Sequence, residues 1–302
     1  MRLSVMVFGL VCVCAVVIGI AAPAVQDDDD VRGAFLTSRP KDKPANTGGT
    51  ASKSRRRPKT PPGTNKPDKT PDKTPGKPGP VKPGPSQSEP ATPVNARRLG
   101  LGVTLFLRDS NGLAVRVDPD HVFRKGDRVR VLLETNTDGY LYIFNTTDDG
   151  PASMIYPDAS LDEAGNYLQA HVPFEIPTSL GGEERLRWFA FDDVAGTEHL
   201  FFVFTREPLK GIPIEDDLIA FCRDSKCPVQ PNDEVWAAVQ KELQEPLKTD
   251  KTAGFGKAET STEQEATSRG LGLAKDDPQP SVVMMASSAR ARLVATLDLI
   301  HK

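Results

Sequence analysis

The sequence predicts an all-β fold, an antiparallel β-sandwich or small barrel of about seven to nine strands. In Arg128–Glu134, branched apolar residues alternate with charged ones, and this period of two is typical of a half-buried strand. Asp-Gly turns at Asp138-Gly139 and Asp149-Gly150 separate this run from the next two. Seven further short runs lie in the predicted domain, residues 99–210, and each is bounded by Gly, Pro, Asp or Asn: Val103–Arg108, Ala114–Asp118, Tyr140–Asn145, Ala152–Tyr156, Asn166–Val172, Arg185–Phe191 and Leu200–Thr205.

Residues 1–24 have the composition of a signal peptide. Arg2 supplies a positive start, Leu3–Ile20 are mostly apolar, and Ala22-Pro23-Ala24 matches the small-residue pattern that precedes a cleavage site. We therefore expect a periplasmic or secreted bacterial protein. An uncleaved N-terminal membrane anchor is the alternative, because the apolar stretch approaches the roughly 20 residues that span a bilayer.

Residues 25–98 are predicted to be a disordered arm with polyproline II character. They contain 14 of the 27 prolines and one aromatic residue, Phe35, and units such as Asp68-Lys-Thr-Pro71 and Lys77-Pro-Gly-Pro80 recur. The simplest interpretation is a Pro/Lys-rich spacer that holds the folded domain away from the N-terminus.

Charge is divided unevenly along the chain. Residues 31–98 carry 16 Lys and Arg against 4 Asp and Glu, whereas residues 99–302 carry 21 against 33. The resulting net charges of +12 and −12 cancel, and the total of −3 comes from residues 1–30. A basic arm can bind anionic polymers, and since export argues against nucleic acid we expect anionic lipid headgroups, envelope glycans or the chain's own acidic domain.

A helical extension is predicted over residues 211–246. Asn232 can cap a helix over Asp233–Glu245, whose apolar face would hold Val235, Trp236, Val239 and Leu243. Cys222 and Cys227 are the two cysteines that remain after cleavage, and an even pair in an exported chain predicts a disulfide that fixes a local turn.

The rest of the chain divides into two parts. Residues 247–280 are polar and are predicted to form a loop or to be disordered. Residues 281–302 become apolar again, and Ser281–Ala286 and Ala291–Ile300 have strand patterns. We expect these C-terminal strands to return to the sheet, with a terminal helix as the alternative.

The sequence contains no recognisable catalytic, cofactor or metal site. Its histidines fall in no catalytic or metal-ligand spacing: His121, His171, His199 and His301. Acidic turns at Asp148-Asp149, Asp158 and Asp162-Glu163 could gather around calcium, and calcium dependence stays open. These turns match no EF-hand loop, however, and turns favour Asp for backbone reasons alone. We therefore predict no catalytic residue, no cofactor and no bound metal.

Aromatic residues are the best candidates for a binding surface, and we predict one from Tyr140, Tyr142, Phe144, Tyr156 and Trp188. Both faces of Tyr140–Phe144 are apolar, and Arg185–Phe191 repeats that pattern. Either such strands are covered on both faces, or one aromatic face stays open for a glycan ring or a peptide strand. Burial is the default for large aromatics in a small β-domain.

The segment from about Val103 to Leu209 resembles the bacterial family called domain of unknown function 4384. The resemblance rests on these segments in order: Phe123-Arg-Lys-Gly-Asp127, Val129–Glu134, Asp138-Gly-Tyr-Leu-Tyr-Ile-Phe144, Ile155-Tyr-Pro157, His171–Pro177 and Gly196–Pro208. It implies a compact β-domain, often exported and often appended to enzyme modules in larger bacterial proteins. The family offers no agreed activity and no catalytic residues to transfer.

Together these observations predict an exported, non-enzymatic, envelope-associated protein that presents a β-sandwich on a disordered basic tether. Its partner would be an envelope protein or a glycan, and its oligomeric state stays open. A hydrolase with an unrecognised active site and a passive structural spacer are the alternatives.

Overall fold

Strands with alternating apolar residues pair into two antiparallel sheets that face each other. The computed structural model describes residues 30–42, 97–159, 165–180, 182–252 and 254–302. The strands are β1 (Gly100–Arg108), β2 (Ala114–Arg116), β3 (Arg128–Thr135), β4 (Gly139–Thr147), β5 (Ser153–Tyr156), β6 (Tyr167–Leu168), β7 (Phe174–Ile176), β8 (Phe189–Ala190), β9 (Gly196–Thr205), β10 (Leu247–Lys251), β11 (Val282–Ala286) and β12 (Arg292–His301). The helices are α1 (Val31–Leu36), α2 (Glu215–Arg223), α3 (Asp233–Leu243) and α4 (Ser261–Arg269), and a 3₁₀-helix spans Glu184–Arg187.

The first sheet has seven strands in the order β10-β11-β1-β3-β7, with β2 also paired to β1 and β8 to β3. The second sheet has five, in the order β12-β9-β4-β5, with β6 paired to β4. The longest ladder joins β12 to β9, from Arg292 opposite Thr205 to His301 opposite Gly196. Val31–Lys302 form one compact unit, whereas of residues 1–30 the structure describes only Asp30.

The inward faces of the two sheets form the central core. It is lined by every second residue of the long strands: Leu101, Val103 and Leu105 of β1, Val129, Val131 and Leu133 of β3, Leu141 and Ile143 of β4, Leu200, Phe202 and Phe204 of β9, and Leu293, Ala295, Leu297 and Leu299 of β12. Because side chains alternate along a strand, the residues between these point outward and need a second cover on each sheet.

Helices α2 and α3 cover the outer face of the second sheet. Phe144 and Phe201 of that face pack edge-on against Trp236 of α3, with ring centroids 6.0 and 4.9 Å apart. The N-terminus of α3 is capped by Asn232, whose Oδ1 accepts a hydrogen bond from the Val235 N–H at 2.9 Å. Helices α2 and α3 therefore lie outside the central core and form an outer layer.

Helix α1 covers part of the outer face of the first sheet. Gly100 and Gly102 of β1 leave a slot for the side chain of Phe35, which is fully buried. Val283 and Met285 of β11 complete this apolar patch beneath the helix. The absence of side chains at two alternate positions of β1 therefore lets a helix approach the strand closely.

The all-β prediction is confirmed, because two antiparallel sheets with few short helices make up the described unit. The strand number exceeds the predicted seven to nine, since β2, β6, β7 and β8 have only two or three residues each. Residues 281–302 supply β11 and β12, one to each sheet.

Two predicted unstructured segments contain docked structure. The disordered arm was predicted over residues 25–98, yet residues 31–42 lie on the first sheet through Phe35 and Arg39. Residues 247–280, predicted as a loop or disordered, contain β10 and α4. Both predictions relied on average composition, which a few well-placed contacts outweigh. The signal peptide and residues 43–96 lie outside the described residues, and none of the described helices is long and apolar enough to cross a bilayer.

The run Arg185–Phe191 was predicted as one strand, but it forms the 3₁₀-helix followed by the two-residue strand β8. Arg185 and Arg187 lie on this helical turn, where Arg185 is exposed and Arg187 is partly exposed. Two of these seven residues are polar, and alternation over so short a run does not separate a strand from a helical turn.

Replacing Gly102 with alanine is expected to destabilise the fold by about 1–3 kcal/mol, the usual range for overpacking a tight core. The added Cβ would lie 2.8 Å from Pro280 Cβ and 3.3 Å from Phe35 Cζ. Urea unfolding of the full chain measures the change. Gly254→Ala is the control, since its nearest contacts would be at 3.6 Å and beyond. Equal stability of the two variants would contradict a tight Phe35 slot.

Candidate functional site

The five aromatic residues that were predicted to form a binding surface are all buried. Their exposed fractions are 3% for Tyr140, 0% for Tyr142, 0% for Phe144, 1% for Tyr156 and 8% for Trp188. The first three lie beneath α2 and α3, Tyr156 lies in the central core, and Trp188 packs on the outer face of the first sheet. They form no open face, so the predicted binding surface is wrong, and the default of core burial holds.

The buried tyrosine hydroxyls have polar partners, as buried phenols require. Tyr156 Oη donates to the carbonyl of Gly165 at 3.2 Å, and Tyr142 Oη accepts from the N–H of Leu209 at 3.0 Å. Burial raises the pKa of Tyr142. These side chains therefore serve to fix loops against the second sheet.

A pocket of about 200 Å³ lies between the two sheets at one end of the core. Its walls are mostly apolar and come from both sheets: Val129, Val131, Ile155, Phe189, Ala190, Phe191, Leu200 and Leu299. The remaining lining residues are Asn145, Asp192, Glu198 and His301. An apolar pocket with a few convergent polar groups is the usual form of a small-ligand site.

Three of these polar residues occupy equivalent places on three neighbouring strands of the second sheet. Asn145 continues the inward row of β4, Glu198 that of β9, and His301 that of β12. Each row is apolar in the core and ends in a polar side chain at the pocket. The sheet register brings them together, since Glu198 lies opposite both Thr147 and Leu299.

Glu198 is held by its neighbours on β4. Asn145 Nδ2 donates to Glu198 Oε2 at 2.8 Å, and Thr147 Oγ1 donates to the same carboxylate at 3.0 Å. The Glu198 side chain is 23% exposed, so it connects the pocket to solvent. The carboxylate is therefore positioned with part of its acceptor capacity still free.

His301 is fixed by backbone and ring contacts. The N–H of Phe123 donates to Ile300 O at 2.8 Å, the N–H of Lys302 donates to Phe123 O at 3.0 Å, and the ring lies 5.1 Å from that of Phe191. The residue is only 4% exposed. Its imidazole orientation is thus set by packing rather than by a polar partner.

Two buried polar atoms in this pocket have no hydrogen-bond partner among the described residues: Asn145 Oδ1 and His301 Nε2. The imidazole Nε2 lies 3.7 Å from Glu198 Oε1, which is too far for a hydrogen bond. Leaving a buried donor or acceptor unpaired costs about 1–3 kcal/mol. The combination of two such atoms with a mostly apolar cavity makes this pocket the candidate functional site.

Sequence reasoning missed this site because it looked for motifs within single segments. A signal was nevertheless present in the alternating rows Leu141-x-Ile143-x-Asn145 and Leu297-x-Leu299-x-His301, which end in polar residues. Each row alone is an ordinary strand terminus. Only the pairing of β4, β9 and β12 shows that the polar ends converge.

A second polar cluster attaches the N-terminal segment to the first sheet. Arg39 uses all five of its N–H donors: Nε and Nη2 bind the two oxygens of Glu134 at 2.8 and 2.6 Å, and the others bind the carbonyls of Ala274, Asp277 and Pro278. The side chains of Arg39 and Glu134 are 0% and 4% exposed. One guanidinium therefore joins residues 31–42, β3 and the segment after α4.

His171 and Ser38 extend this cluster in the geometry of a Ser-His-acid triad. Ser38 Oγ lies 2.9 Å from His171 Nε2, and His171 Nδ1 lies 2.7 Å from Glu134 Oε1. The Ser38 hydroxyl also donates to the carbonyl of Phe35 at 2.5 Å, and the N–H groups of Ser38 and Arg39 are bonded within their own turn. No N–H pair from this turn is left to stabilise an oxyanion, which an acyl-transfer site needs.

A third cluster lies further along the outer face of the first sheet. Arg130 stacks 4.3 Å over the Trp188 ring and approaches Glu175 at 3.2 Å and Glu259 at 3.5 Å. Burial, together with the neighbouring charge of Glu175, raises the pKa of Glu259 to about 8. One positive charge thus serves two buried carboxyl groups, of which Glu259 keeps its proton near neutral pH.

The remaining predicted features lie away from these sites. Cys222, in the last turn of α2, forms a disulfide with Cys227, and their Cα–Cα distance is 4.9 Å. In the described part of the chain, no three His, Cys, Asp or Glu side chains are grouped so as to hold a metal ion.

Part of the chain matches a known protein family. Residues 122–208 match the family model described as domain of unknown function (DUF4384). Comparison with curated proteins and with solved structures gave no match. The DUF4384 match runs from just before β3 to just after β9, so it contains Asn145 and Glu198, whereas Leu299 and His301 lie outside it.

Arg39→Met is expected to lower the free energy of unfolding by about 3–5 kcal/mol, because it leaves the buried Glu134 carboxylate without its cation. Urea unfolding measures this, and amide hydrogen exchange should show residues 33–39 losing protection. Arg269→Met is the matched control, since its ion pair with Glu265 is 60% and 50% exposed and such pairs contribute about 1 kcal/mol or less. An Arg39→Met cost as small as the control's would contradict an anchoring role.

Glu259 is expected to make stability depend on pH. Its ordinary pKa is 4.5 and its pKa in the folded chain is about 8. Between these values the unfolded chain loses a proton that the folded chain keeps, so the free energy of unfolding falls as the pH rises. Glu259→Gln keeps a neutral donor and removes this dependence, and should therefore be more stable than the parent at pH 8 but not at pH 4.5.

Urea unfolding at several pH values between 4.5 and 8 measures the difference between variant and parent. Glu265→Gln, at an exposed position of α4, is the control and should give a small difference at all pH values. A pH-independent difference for Glu259→Gln would show that Glu259 is ionised in the folded chain.

Proposed function

We propose that this chain is an exported, non-enzymatic binding protein of the bacterial envelope, whose ligand occupies the pocket lined by Asn145, Glu198 and His301. The observation that carries the proposal is the pair of unpaired buried atoms, Asn145 Oδ1 and His301 Nε2, beside an otherwise apolar cavity. A core under selection for stability alone favours apolar side chains at such positions, since unpaired polar atoms destabilise it. A ligand that forms hydrogen bonds with these two atoms would account for the polar residues at these positions.

Export is supported by the signal-like composition of residues 1–24, and the Cys222–Cys227 disulfide is compatible with an oxidising compartment. An envelope protein or a glycan component is the expected partner. The DUF4384 match adds no activity to this proposal.

The role of the basic arm changes with the docking of residues 31–42. Arg39 is fixed to Glu134, and the chain resumes on the same unit with β1, so residues 43–96 connect two points of one domain. They therefore cannot hold the domain away from residue 31. We propose that this Lys-rich connection, with 11 Lys and Arg against 3 Asp and Glu, offers its charge to anionic headgroups or glycans beside the domain.

His301→Phe is expected to separate binding from stability. The ring shape is kept and the unpaired Nε2 is removed, so the free energy of unfolding should rise by about 1 kcal/mol. Bound envelope material should be lost at the same time. His199→Phe is the matched control, because His199 is a partly exposed residue that pairs with Asp298 on the surface.

The test compares parent, His301→Phe and His199→Phe chains, each immobilised and exposed to solubilised envelope protein and digested cell-wall glycan from the host bacterium. Mass spectrometry should identify components retained by the parent and by His199→Phe but not by His301→Phe. Equal retention by all three chains, or no retention by any, would overturn the pocket as the binding site.

A second candidate function is ester or amide hydrolysis at Ser38, favoured by the 2.9 Å contact between Ser38 Oγ and His171 Nε2. In that reaction the hydroxyl oxygen would attack a carbonyl carbon while its proton passes to His171, as in serine hydrolases. The ester or amide bond then breaks, the leaving alcohol or amine takes that proton, and water hydrolyses the acyl-serine to restore Ser38. A fluorophosphonate probe on the full chain tests it, with Ser38→Ala as control. Labelling that depends on Ser38 would overturn the non-enzymatic proposal, and no labelling supports it.

A further inference from the structure

The charge of the candidate pocket is one-sided. Its lining contains two carboxylates, Asp192 and Glu198, and no lysine or arginine. The one imidazole, His301, has a nitrogen free to accept if its proton is on the other nitrogen. A ligand that enters this pocket therefore meets negative charge and hydrogen-bond acceptors.

The free acceptors converge on a small region. Asn145 already donates its amide N–H to Glu198 Oε2, so its Oδ1 is the atom left for a ligand. Glu198 Oε1 lies 3.7 Å from His301 Nε2. That separation is too long for a hydrogen bond between Glu198 and His301, but it allows one nitrogen of a ligand to donate hydrogen bonds to both atoms. A group with three N–H donors on one atom, a primary ammonium, matches three acceptors.

The rest of the pocket suits an aliphatic stem. Its apolar walls come from Val129, Val131, Ile155, Phe189, Phe191 and Leu299. Its volume of about 200 Å³ exceeds the roughly 150 Å³ cavity that holds a benzene molecule. The space is therefore that of a ligand with about six non-hydrogen atoms or a few more.

We propose that the pocket bounded by Asn145, Glu198 and His301 binds a primary alkylammonium group on an aliphatic stem of about four to six carbons. This rests on the proposed binding function and names its ligand chemistry. Two sources share that chemistry: the side chain of a lysine in a protein or peptide, and a free alkylamine or diamine.

The experiment uses calorimetric titration of the full chain at neutral pH with n-pentylamine, n-pentanol and pentanoate. Pentylamine should bind at least tenfold more tightly than pentanol, which has the same stem without the charge, and pentanoate should not bind. Nα-acetyl-lysine N-methylamide and 1,5-diaminopentane then separate the two sources. Tighter binding of the blocked lysine points to a protein or peptide ligand, and tighter binding of the diamine to a free amine.

Variants locate the binding. Glu198→Gln keeps the acceptor for Thr147 but removes the charge, and should weaken pentylamine binding at least tenfold. Asp298→Asn removes one charge from the surface of β12, pairs with no pocket residue, and should leave binding unchanged. Asn145→Leu, which removes the free Oδ1, should also weaken the amine.

Pentanol or pentanoate binding as tightly as pentylamine would overturn the proposal, as would amine binding that Glu198→Gln and Asp298→Asn weaken equally. If no amine binds while envelope material is still retained in a His301-dependent way, the ligand class is wrong and the binding function stands. If neither occurs, both proposals fail.

Discussion

The alternation of side chains along a strand is the constraint on which the rest of this structure depends. Each sheet has two faces, and in this chain both faces of the long strands carry large side chains, as in Tyr140–Phe144 of β4. One set fills the core between the sheets. The other set requires outer layers, which α2 and α3 supply on the second sheet and α1, α4 and the adjoining segments supply on the first. The segment before β1 and the segments between β9 and β11 are thus needed to cover the sandwich.

The two outer layers are held to their sheets by different interactions. On the second sheet the cover is apolar and aromatic, and burial of area is enough to hold it. On the first sheet β3 presents Arg130 and Glu134, and each must find an opposite charge once it is covered. Arg39 meets that need for Glu134, and Glu175 of the neighbouring strand β7 meets it for Arg130, so the docking of residues 31–42 is set by an ion pair. Such pairs fix where a segment docks more than they add to net stability.

The sequence predicts more of the fold than of the candidate site. The rows of β1, β3, β4 and β9 are visible as alternation in the sequence, and a strong period of two determines a strand whatever it pairs with. The docking of Phe35 could not be predicted, since it depends on the slot at Gly100 and Gly102, which two glycines in a strand do not reveal. The five aromatics were visible, but whether a second apolar face is open or covered depends on helices elsewhere in the chain. Tyr140, Tyr142 and Phe144 are buried beneath α2 and α3, and Trp188 is buried on the outer face of the first sheet. Tyr156 is buried in the central core.

The candidate site likewise depends on contacts between residues that are distant in the sequence. Asn145 and Glu198 lie in the segment that matches DUF4384, whereas His301 arrives on β12 from 93 residues beyond the end of that match. The matched segment alone leaves the β9 ladder open on the side where β12 pairs. The pocket therefore requires the C-terminal strand twice, once to complete the sheet and once to supply the imidazole. A family model that ends before β12 describes part of the wall, so function in this chain has to be sought in the completed sandwich.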